Sequence, residues 1–272
     1  LEANAAAVEH SPEAAAYAQA MRDLPFIRQL LSGELPLEWS PTRMVSDDPR
    51  KTLGTAPREA MLPHQLHEIV GVPAKELILV SPYFVPTAQG TQAFARMARD
   101  GVKVRVLTNA LEATDVAVVH SGYAKRRKDL LAAGVELYEM KRAVQGVERN
   151  KSMGPFGSSG SSLHAKTFAV DGERVFVGSF NFDPRSARLN TELGFVIDSP
   201  ALAHGVEEAF EEELPRTAYR VMLDEMGKLY WREERDGHTV RHDREPGASV
   251  LQRATVWVAS LLPLEPWLQG WK

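Results

Sequence analysis

The chain has 272 residues, of which 44% are apolar and 25% charged, as is usual for a globular protein with a sizeable core. Its formal net charge of -4 supplies no global basic field, so nucleic-acid binding would depend on a local patch and is not expected. The absence of cysteine excludes disulfides, a thiolate nucleophile and a thiolate zinc site.

Residues 1–56 are predicted to form an N-terminal helical and connecting segment. Ser11, Pro12 and Glu13 form a helix-start signal, and the Ala-rich helical pattern around them later gives way to an extended, loop-like stretch. The first residue is Leu1 rather than Met, so we expect the chain to be part of a longer protein.

Residues 57–214 alternate between apolar and amphipathic runs, which is typical of an α/β domain. The predicted order is strand 76–86, helix 91–101, strand 102–110, helix 120–134 and strand 135–140. This order predicts a mixed β-sheet flanked by helices on both faces, with ligands bound beyond the strand ends.

A Gly/Ser-rich run at 150–162 interrupts this alternation and predicts a mobile loop. Because the run leads directly into His164, we expect it to gate a cleft there. Two apolar runs follow, and the Asp171-Gly172 pair between them is a strong signal for a β-hairpin. Residues 215–272 change character and are predicted to form a small C-terminal α+β subdomain.

His164 and Lys166 stand two residues apart in the first predicted hairpin strand. Residues at i and i+2 of a strand point to the same face, so the two side chains are predicted to project together. An ammonium can carry the charge of a phosphate oxygen, and a neutral imidazole can attack phosphorus. The pair favours phosphoryl-type chemistry, whereas a single strand histidine is more often a core or surface residue.

Three further polar residues follow the hairpin. Ser179 and Asn181 come after Gly178, where the chain is expected to turn and short polar side chains can donate to phosphate oxygens. Glu192 enters the next predicted strand, and a carboxylate on one imidazole nitrogen would fix the tautomer of His164. Taken singly, each has a structural alternative, as a turn residue or a surface carboxylate.

Together these residues form the His-x-Lys, Asp, Gly-Ser-x-Asn pattern, the HKD signature of the phospholipase D superfamily. The chain resembles the second half of one branch, the bacterial cardiolipin synthases, at residues 81–86, 113–139 and 180–194. The resemblance implies four catalytic residues, His164, Lys166, Asp171 and Glu192, and two phosphate ligands, Ser179 and Asn181. It implies no cofactor and no metal, because Lys166 takes the role that a cation would play.

The resemblance also implies a mechanism with two histidines, one from each of two HKD motifs. One attacks phosphorus to give a phosphohistidine, and the other protonates the leaving alkoxide. Of the eight histidines in the chain, only His164 begins a His-x-Lys pair. The second motif is therefore expected from an upstream half of the protein or from a second copy of the chain in a homodimer.

Three residues outside the motif match the same branch and are candidate substrate contacts: Tyr83, His120 and Arg185. Each has an alternative, which is ring packing for Tyr83, a helix-end hydrogen bond for His120 and a salt bridge for Arg185.

A lipid substrate implies access from a membrane surface. The C-terminal stretch carries residues typical of membrane interfaces, although such a stripe more often covers a sheet: Trp257, Leu261, Leu262, Leu264, Trp267 and Trp271. Basic residues 125–128 are candidates to meet anionic headgroups. No run reaches the roughly 18 apolar residues of a membrane span, so a peripheral location on the cytoplasmic face of a bacterial inner membrane is expected.

The resemblance predicts transfer of a phosphatidyl group between phospholipids, most simply between two phosphatidylglycerol molecules with release of glycerol. Two alternatives stay open. One is a phospholipase D-type phosphodiesterase that hydrolyses phospholipid or nucleic acid, and the other is a non-catalytic, membrane-binding half-module.

Overall fold

The computed structural model describes residues 22–35, 37–114, 116–142 and 163–261, together with Ala15 and Gln19. The chain divides into two compact units, residues 1–40 with 149–152 and residues 41–148 with 153–272. In the first unit, helix α1 (Pro25–Ser32) has proline at its start and ends at Gly33, whose φ of 72° suits glycine. The predicted Gly/Ser loop lies outside the described residues.

The second unit contains the sheet and the other described helices. Its strands are β1 (Thr42–Ser46), β2 (Glu76–Val80), β3 (Lys103–Asn109), β4 (Glu136–Met140), β5 (Thr167–Val170), β6 (Arg174–Gly178), β7 (Leu193–Asp198), β8 (Ala218–Leu223), β9 (Leu229–Arg235) and β10 (His238–His242). Its helices are α2 (Leu62–Val70), α3 (Ala88–Arg99), α4 (Ala117–Ala124), α5 (Arg127–Ala132), α6 (Pro184–Arg188), α7 (Pro200–Glu212), α8 (Leu214–Thr217) and α9 (Val250–Leu261). Short 3-10 segments at Pro49–Leu53 and Arg58–Ala60 connect β1 to α2.

The described strands form one mixed sheet in the order β1-β7-β6-β5-β2-β3-β4-β8-β9-β10. Strands β2, β3 and β4 run parallel to one another, and every other neighbouring pair is antiparallel. Helix α3 connects β2 to β3, and helices α4 and α5 connect β3 to β4. The carboxyl ends of the three parallel strands therefore lie at one edge of the sheet, where ligands of such folds bind.

Alternate residues of the central strands supply two apolar cores on opposite faces of the sheet. Leu77 and Leu79 of β2 belong to the core that contains α2 and α3 side chains. Ile78 and Val80 belong to the core that contains α7 side chains. The sheet thus carries helices on both faces, and the predicted mixed α/β fold is confirmed.

Strands β8 to β10 extend the same sheet beyond β4. Strand β8 pairs antiparallel with β4, and Trp231 of β9 is buried in the same core as α2 and α3 side chains. The boundary predicted at residue 215 does not coincide with a break in the sheet, and the division into a C-terminal subdomain stays a prediction. Helix α9 buries Val256 and Ala259 and packs near α4.

Candidate active site

His164 and Lys166 lie immediately before β5, which begins at Thr167, later than the pattern predicted. Leu163 is held at the carboxyl end of β3 by two hydrogen bonds to one side chain. The Leu163 N–H donates to Asn109 Oδ1 at 2.9 Å, and Asn109 Nδ2 donates to the Leu163 carbonyl oxygen at 3.2 Å. This anchor places His164 at the edge of the sheet where ligands are expected.

Lys166 is a half-buried cation without a directly paired anion. Its Nζ donates to the His164 carbonyl oxygen at 2.9 Å, and no carboxylate among the described residues forms an ion pair with it. Burial lowers the pKa of Lys166, while the nearby charges of Glu192 and Asp183 act in the opposite direction. The ammonium is partly desolvated and incompletely neutralised, and the exposed His164 side chain lies two residues away. An anionic group can complete this arrangement.

Glu192 and Ser179 are directly joined at the adjoining strand ends. Ser179 Oγ donates to Glu192 Oε2 at 2.5 Å, and the Leu193 N–H donates to Ser179 Oγ at 3.1 Å. Glu192 is 8% exposed. In the described part of the chain it forms no hydrogen bond to the His164 ring, so its role in orienting that ring stays a prediction.

Asn181 and Asp183 complete the polar segment after β6. Asn181 is 9% exposed, and its Oδ1 has no hydrogen-bond partner within the described ranges. Asp183 caps α6 by accepting from the Arg185 and Ser186 N–H groups at 2.7 and 3.0 Å. Burial raises the pKa of Asp183, and the charge of Glu192 raises it further. Oδ1 can accept from a hydroxyl of a ligand, whereas a contact with a phosphate oxygen would use the Nδ2 donor of Asn181.

A buried ion pair that the sequence analysis missed supports this cluster. Lys51 Nζ lies 2.6 Å from Asp47 Oδ2, and the two side chains are 1% and 0% exposed. Asp47 Oδ2 also accepts from the Glu192 N–H at 2.9 Å, and Lys51 Nζ donates to the Ser186 carbonyl oxygen at 2.7 Å. One ion pair therefore holds both the Glu192 backbone and helix α6. The i, i+4 spacing of Asp47 and Lys51 is a sequence signal for an ion pair, but both residues lie in the 1–56 segment that was interpreted only as a connection.

Gly178 and Gly194 face each other across β6 and β7, and the Phe176 ring covers both. A Cβ built on Gly178 would lie 2.6 Å from Phe176 Cζ, and one on Gly194 would lie 2.4 Å from Phe176 Cε2. The chain bends after Gly178, as expected. The structure adds a second reason for glycine here, because a Cβ would lie 2.5 Å from the Leu193 carbonyl oxygen as well as against the Phe176 ring.

Asp171 lies at the opposite end of β5 from Lys166, roughly 16 Å away at about 3.3 Å per residue. Its carboxylate accepts backbone N–H bonds from Ala74, Lys75 and Glu76, the closest at 2.7 Å. Burial would raise its pKa, but these bonds outweigh burial and lower the pKa below its ordinary value. Asp171 is thus placed to hold the hairpin against the start of β2 rather than to contact a group bound at Lys166.

The three candidate contacts outside the motif occupy different environments. Tyr83 is half-buried beyond β2, and its carbonyl oxygen accepts from Ser81 Oγ at 2.8 Å. Arg185 is exposed on α6, two residues after Asp183. Neither placement excludes a substrate contact, and both stay predictions.

His120 belongs instead to a buried charge cluster, which we call the Arg127 cluster: His120, Arg127, Glu139 and Glu245. His120 Nε2 lies 3.0 Å from Arg127 Nη2 and 3.3 Å from Glu245 Oε1, and Arg127 is directly paired with Glu245. Arg127 Nη1 lies 3.5 Å from Glu139 Oε1. Burial would raise the pKa of Glu245, but its bond to His120 and the charge of Arg127 lower it to about 2. The His120 imidazole, 3% exposed, is placed for this cluster rather than for a headgroup.

The structure modifies the predicted membrane-facing features. Arg127, one of the four basic residues 125–128, is buried and paired, so it is not available to meet a lipid. Trp257 and Leu261 are exposed on α9, at 65% and 66%, while the other predicted interface residues lie outside the described part of the chain. Every helix that the structure describes is too short or too polar to cross a bilayer.

Comparison with known proteins identifies the family. A model of the PLD-like domain of cardiolipin synthase matches residues 70–214, just over half of the chain. The chain therefore belongs to the family of cardiolipin synthase PLD-like domains.

The relatives carry the same family name. Cardiolipin synthase C of Escherichia coli (strain K12) is 47% identical over 252 residues, which cover 93% of this chain and 53% of that protein. Cardiolipin synthase A of Pectobacterium carotovorum (strain PC1) is 30% identical over 175 residues, 64% of this chain and 32% of that protein. The chain thus spans about half the length, or less, of these curated relatives.

A solved structure with a similar course of the chain is Nuc from Salmonella typhimurium, a phospholipase D family member. It is 17% identical, has a TM-score of 0.46, and the match covers 68% of this chain and 99% of Nuc.

Proposed function

We propose that the chain supplies one half of the active site of a phosphatidyltransferase of the cardiolipin synthase type. The observation that carries the proposal is the pairing of an exposed His164 with Lys166, a half-buried cation that has no directly paired anion among the residues that the structure describes. The substrate class is proposed from the family, since a relative that is 47% identical is named cardiolipin synthase C.

In the proposed reaction, a ring nitrogen of His164 attacks the phosphorus of phosphatidylglycerol and the bond from phosphorus to the glycerol oxygen breaks. A second histidine gives its proton to that oxygen, so glycerol leaves and a phosphohistidine forms. The hydroxyl of another phosphatidylglycerol then attacks phosphorus, loses its proton to the second histidine and releases His164 with formation of cardiolipin. His164 can equally occupy the acid–base position, with the roles exchanged.

The neighbouring side chains have distinct parts in this proposal. Lys166 stabilises the negative charge of the phosphate oxygens, and Ser179 and Asn181 donate hydrogen bonds to them. Glu192 already accepts from Ser179 at 2.5 Å and lies near enough to Lys166 to affect its pKa. Movement of Glu192 from Ser179 to the His164 ring on substrate binding would release the Ser179 hydroxyl and stabilise the imidazolium.

The second histidine must come from another HKD motif, since His164 begins the only His-x-Lys pair in the sequence. An upstream half of a longer protein or a second copy of this chain would supply it. We further propose that the protein acts at a membrane surface, on the cytoplasmic face of the inner membrane. The exposed Trp257 and Leu261 of α9 support contact with the interface.

The experiment incubates the chain with phosphatidylglycerol in mixed micelles and identifies products by mass spectrometry. His164→Ala is compared with His204→Ala, a control at a histidine that is 67% exposed on α7. Cardiolipin and glycerol formed by the parent and the control, but not by His164→Ala, support the proposal. If the chain alone is inactive, the same variants are compared in a longer protein that carries both motifs.

Two outcomes contradict the proposal. Phosphatidic acid in place of cardiolipin would identify a hydrolase, since water then replaces the acceptor alcohol. Cardiolipin synthesis that survives His164→Ala in the two-motif protein would show that this half binds without catalysing.

A further inference from the structure

An apolar cavity of about 750 Å³ lies between helices α2, α3 and α6 and the sheet. The sheet contributes its β2 and β5 side chains on the face opposite to α7. Most of its wall is apolar, including Leu66, Val70, Leu77, Phe94, Phe168 and Val170. The volume falls in the range of about 300–1,000 Å³ that is usual for small-molecule sites.

The cavity exists because small residues face it where a packed core would have large ones. Gly90 and Ala93 of α3 and Ala187 of α6 line it. Close packing does not require glycine at position 90, since a Cβ there would lie 3.6 Å from the Pro86 Cβ, an ordinary contact. The space is partly open to solvent, so a ligand can enter it.

The cavity adjoins the candidate active site through one segment of chain. Between β6 and α6, polar residues alternate with aromatic ones: Ser179, Asn181 and Asp183 alternate with Phe180 and Phe182, and the two rings line the cavity. Asp183 also lines the cavity, and its carboxylate is near enough to Lys166 to affect the pKa of that ammonium. A molecule could therefore bind with its anionic group at Lys166 and its apolar part in the adjacent cavity.

We propose that this cavity holds an acyl chain of the phospholipid whose phosphate lies at Lys166. The inference rests on the proposed function, because it assigns a second subsite to the same substrate. An acyl chain fits this wall because most of its surface is apolar, and polar lining residues such as Thr87, Gln89 and Asp183 are outnumbered by apolar ones. Each buried methylene is expected to increase affinity about fourfold, so the subsite would favour long-chain lipids.

A photoreactive phosphatidylglycerol, with a diazirine near the end of one acyl chain, tests the proposal. It is irradiated with the chain in mixed micelles, and the labelled peptides are identified by mass spectrometry. We expect labelling within residues 62–73 and 88–97, and at least a tenfold loss of it in Ala93→Phe, which fills the cavity. Gln92→Phe is the matched control, since Gln92 is exposed on the same helix. If Ala93→Phe lowers the thermal midpoint, Ala93→Met replaces it.

The outcomes separate this inference from the proposed function. Cardiolipin synthesis with labelling elsewhere, or with labelling unaffected by Ala93→Phe in a folded protein, overturns the subsite alone. Labelling of the cavity by a longer, two-motif protein that makes no cardiolipin supports the subsite and removes the proposed reaction. Occupation of the cavity by another segment or a second copy, seen as protein–protein crosslinks to residues 88–97 that lipid does not displace, also overturns the subsite.

Discussion

Lys166 and Arg127 are both partly or wholly buried cations, but they differ in their hydrogen-bond and ion-pair partners. The Arg127 side chain is 2% exposed, meets the carboxylates of Glu139 and Glu245, and lies 5.0 and 5.4 Å from the Tyr123 and Trp231 rings. Lys166 donates to a backbone carbonyl and has carboxylates near it but none directly paired. Arg127 has two carboxylate partners, although its Nε has no hydrogen-bond partner among the described residues, and it is expected to be structural. Lys166 is the candidate for binding an anion.

This difference distinguishes the two histidines that the sequence analysis proposed for the site. Both are single histidines in stretches that resemble the same family. His120 is buried among partners that fix it, whereas His164 is exposed beside an incompletely neutralised cation. A histidine is available for chemistry only where its neighbours leave a nitrogen unused.

Lys166→Met should have the largest effect and should separate activity from stability. Removing a cation from a phosphoryl-transfer site is expected to reduce turnover about 10³–10⁵-fold. Because burial lowers the pKa of Lys166 in the folded state, its charge opposes folding at neutral pH. The variant should therefore unfold at a higher temperature than the parent, by a margin that narrows as pH rises towards 10. Calorimetry and lipid-product assays measure both effects.

The control is Lys228→Met, at an exposed lysine between β8 and β9. It should change neither turnover nor the thermal midpoint. A thermal midpoint that falls in Lys166→Met would show that Lys166 is as well paired as Arg127.

Arg127→Met tests the expectation that the buried Arg127, which is paired with two carboxylates, stabilises the fold. It leaves two carboxylates without their cation, which should cost about 3–5 kcal/mol in the free energy of unfolding. Urea titration measures the loss, and Arg220→Met is the control. Arg220 is 36% exposed and pairs with Glu136 at 3.3 Å, so its removal should cost at most about 1 kcal/mol. Equal losses in the two variants would contradict the structural role of the Arg127 cluster.

Lys51→Met should affect both the free energy of unfolding and the candidate active site. It leaves Asp47 charged and buried, so we expect a loss of about 3 kcal/mol together with slower turnover, because Asp47 holds the Glu192 backbone. The double variant Asp47→Asn/Lys51→Met removes both charges and should recover part of the stability. Urea titration and product assays of the three proteins check this. No recovery in the double variant would show that packing, rather than charge, determines the loss.

Asp171→Asn should have the smallest effect, a loss on the order of 1 kcal/mol at neutral pH from weakened bonds to backbone N–H groups. The pKa of Asp171 is lowered in the folded state, so its contribution is present above the ordinary carboxyl pKa. The contribution disappears as the pH falls through the lowered value. Unfolding curves at several pH values should therefore converge under acid conditions.

Asp236→Asn is the matched control for the hairpin turn. Asp236 and Asp171 both precede a glycine and have φ values of 51° and 56°. Asp236 accepts no backbone bonds like those of Asp171 within the described residues, so its variant should not share the pH dependence.

The central strands could be predicted from sequence, and the HKD motif could be located, because both signals are local; the roles of the motif residues stay predictions. Apolar runs with the right spacing located β2, β3 and β4, and the Asp171-Gly172 pair located the hairpin. The start of β5 was predicted too early because the pattern of apolar residues continues through Leu163, which is held by Asn109 rather than by a neighbouring strand.

The sequence by itself determined the fold class and the residue types that favour phosphate chemistry, since both depend on periodicity and on a short motif. Only the tertiary structure decided which charged side chains have hydrogen-bond or ion-pair partners. In the folded chain Asp47 accepts from the Glu192 N–H, 145 residues away. His120 is buried beside Arg127, and Asp171 lies at the far end of β5 from Lys166. The reason is physical: burial and hydrogen-bond partners come from residues distant in sequence, and no local pattern records them.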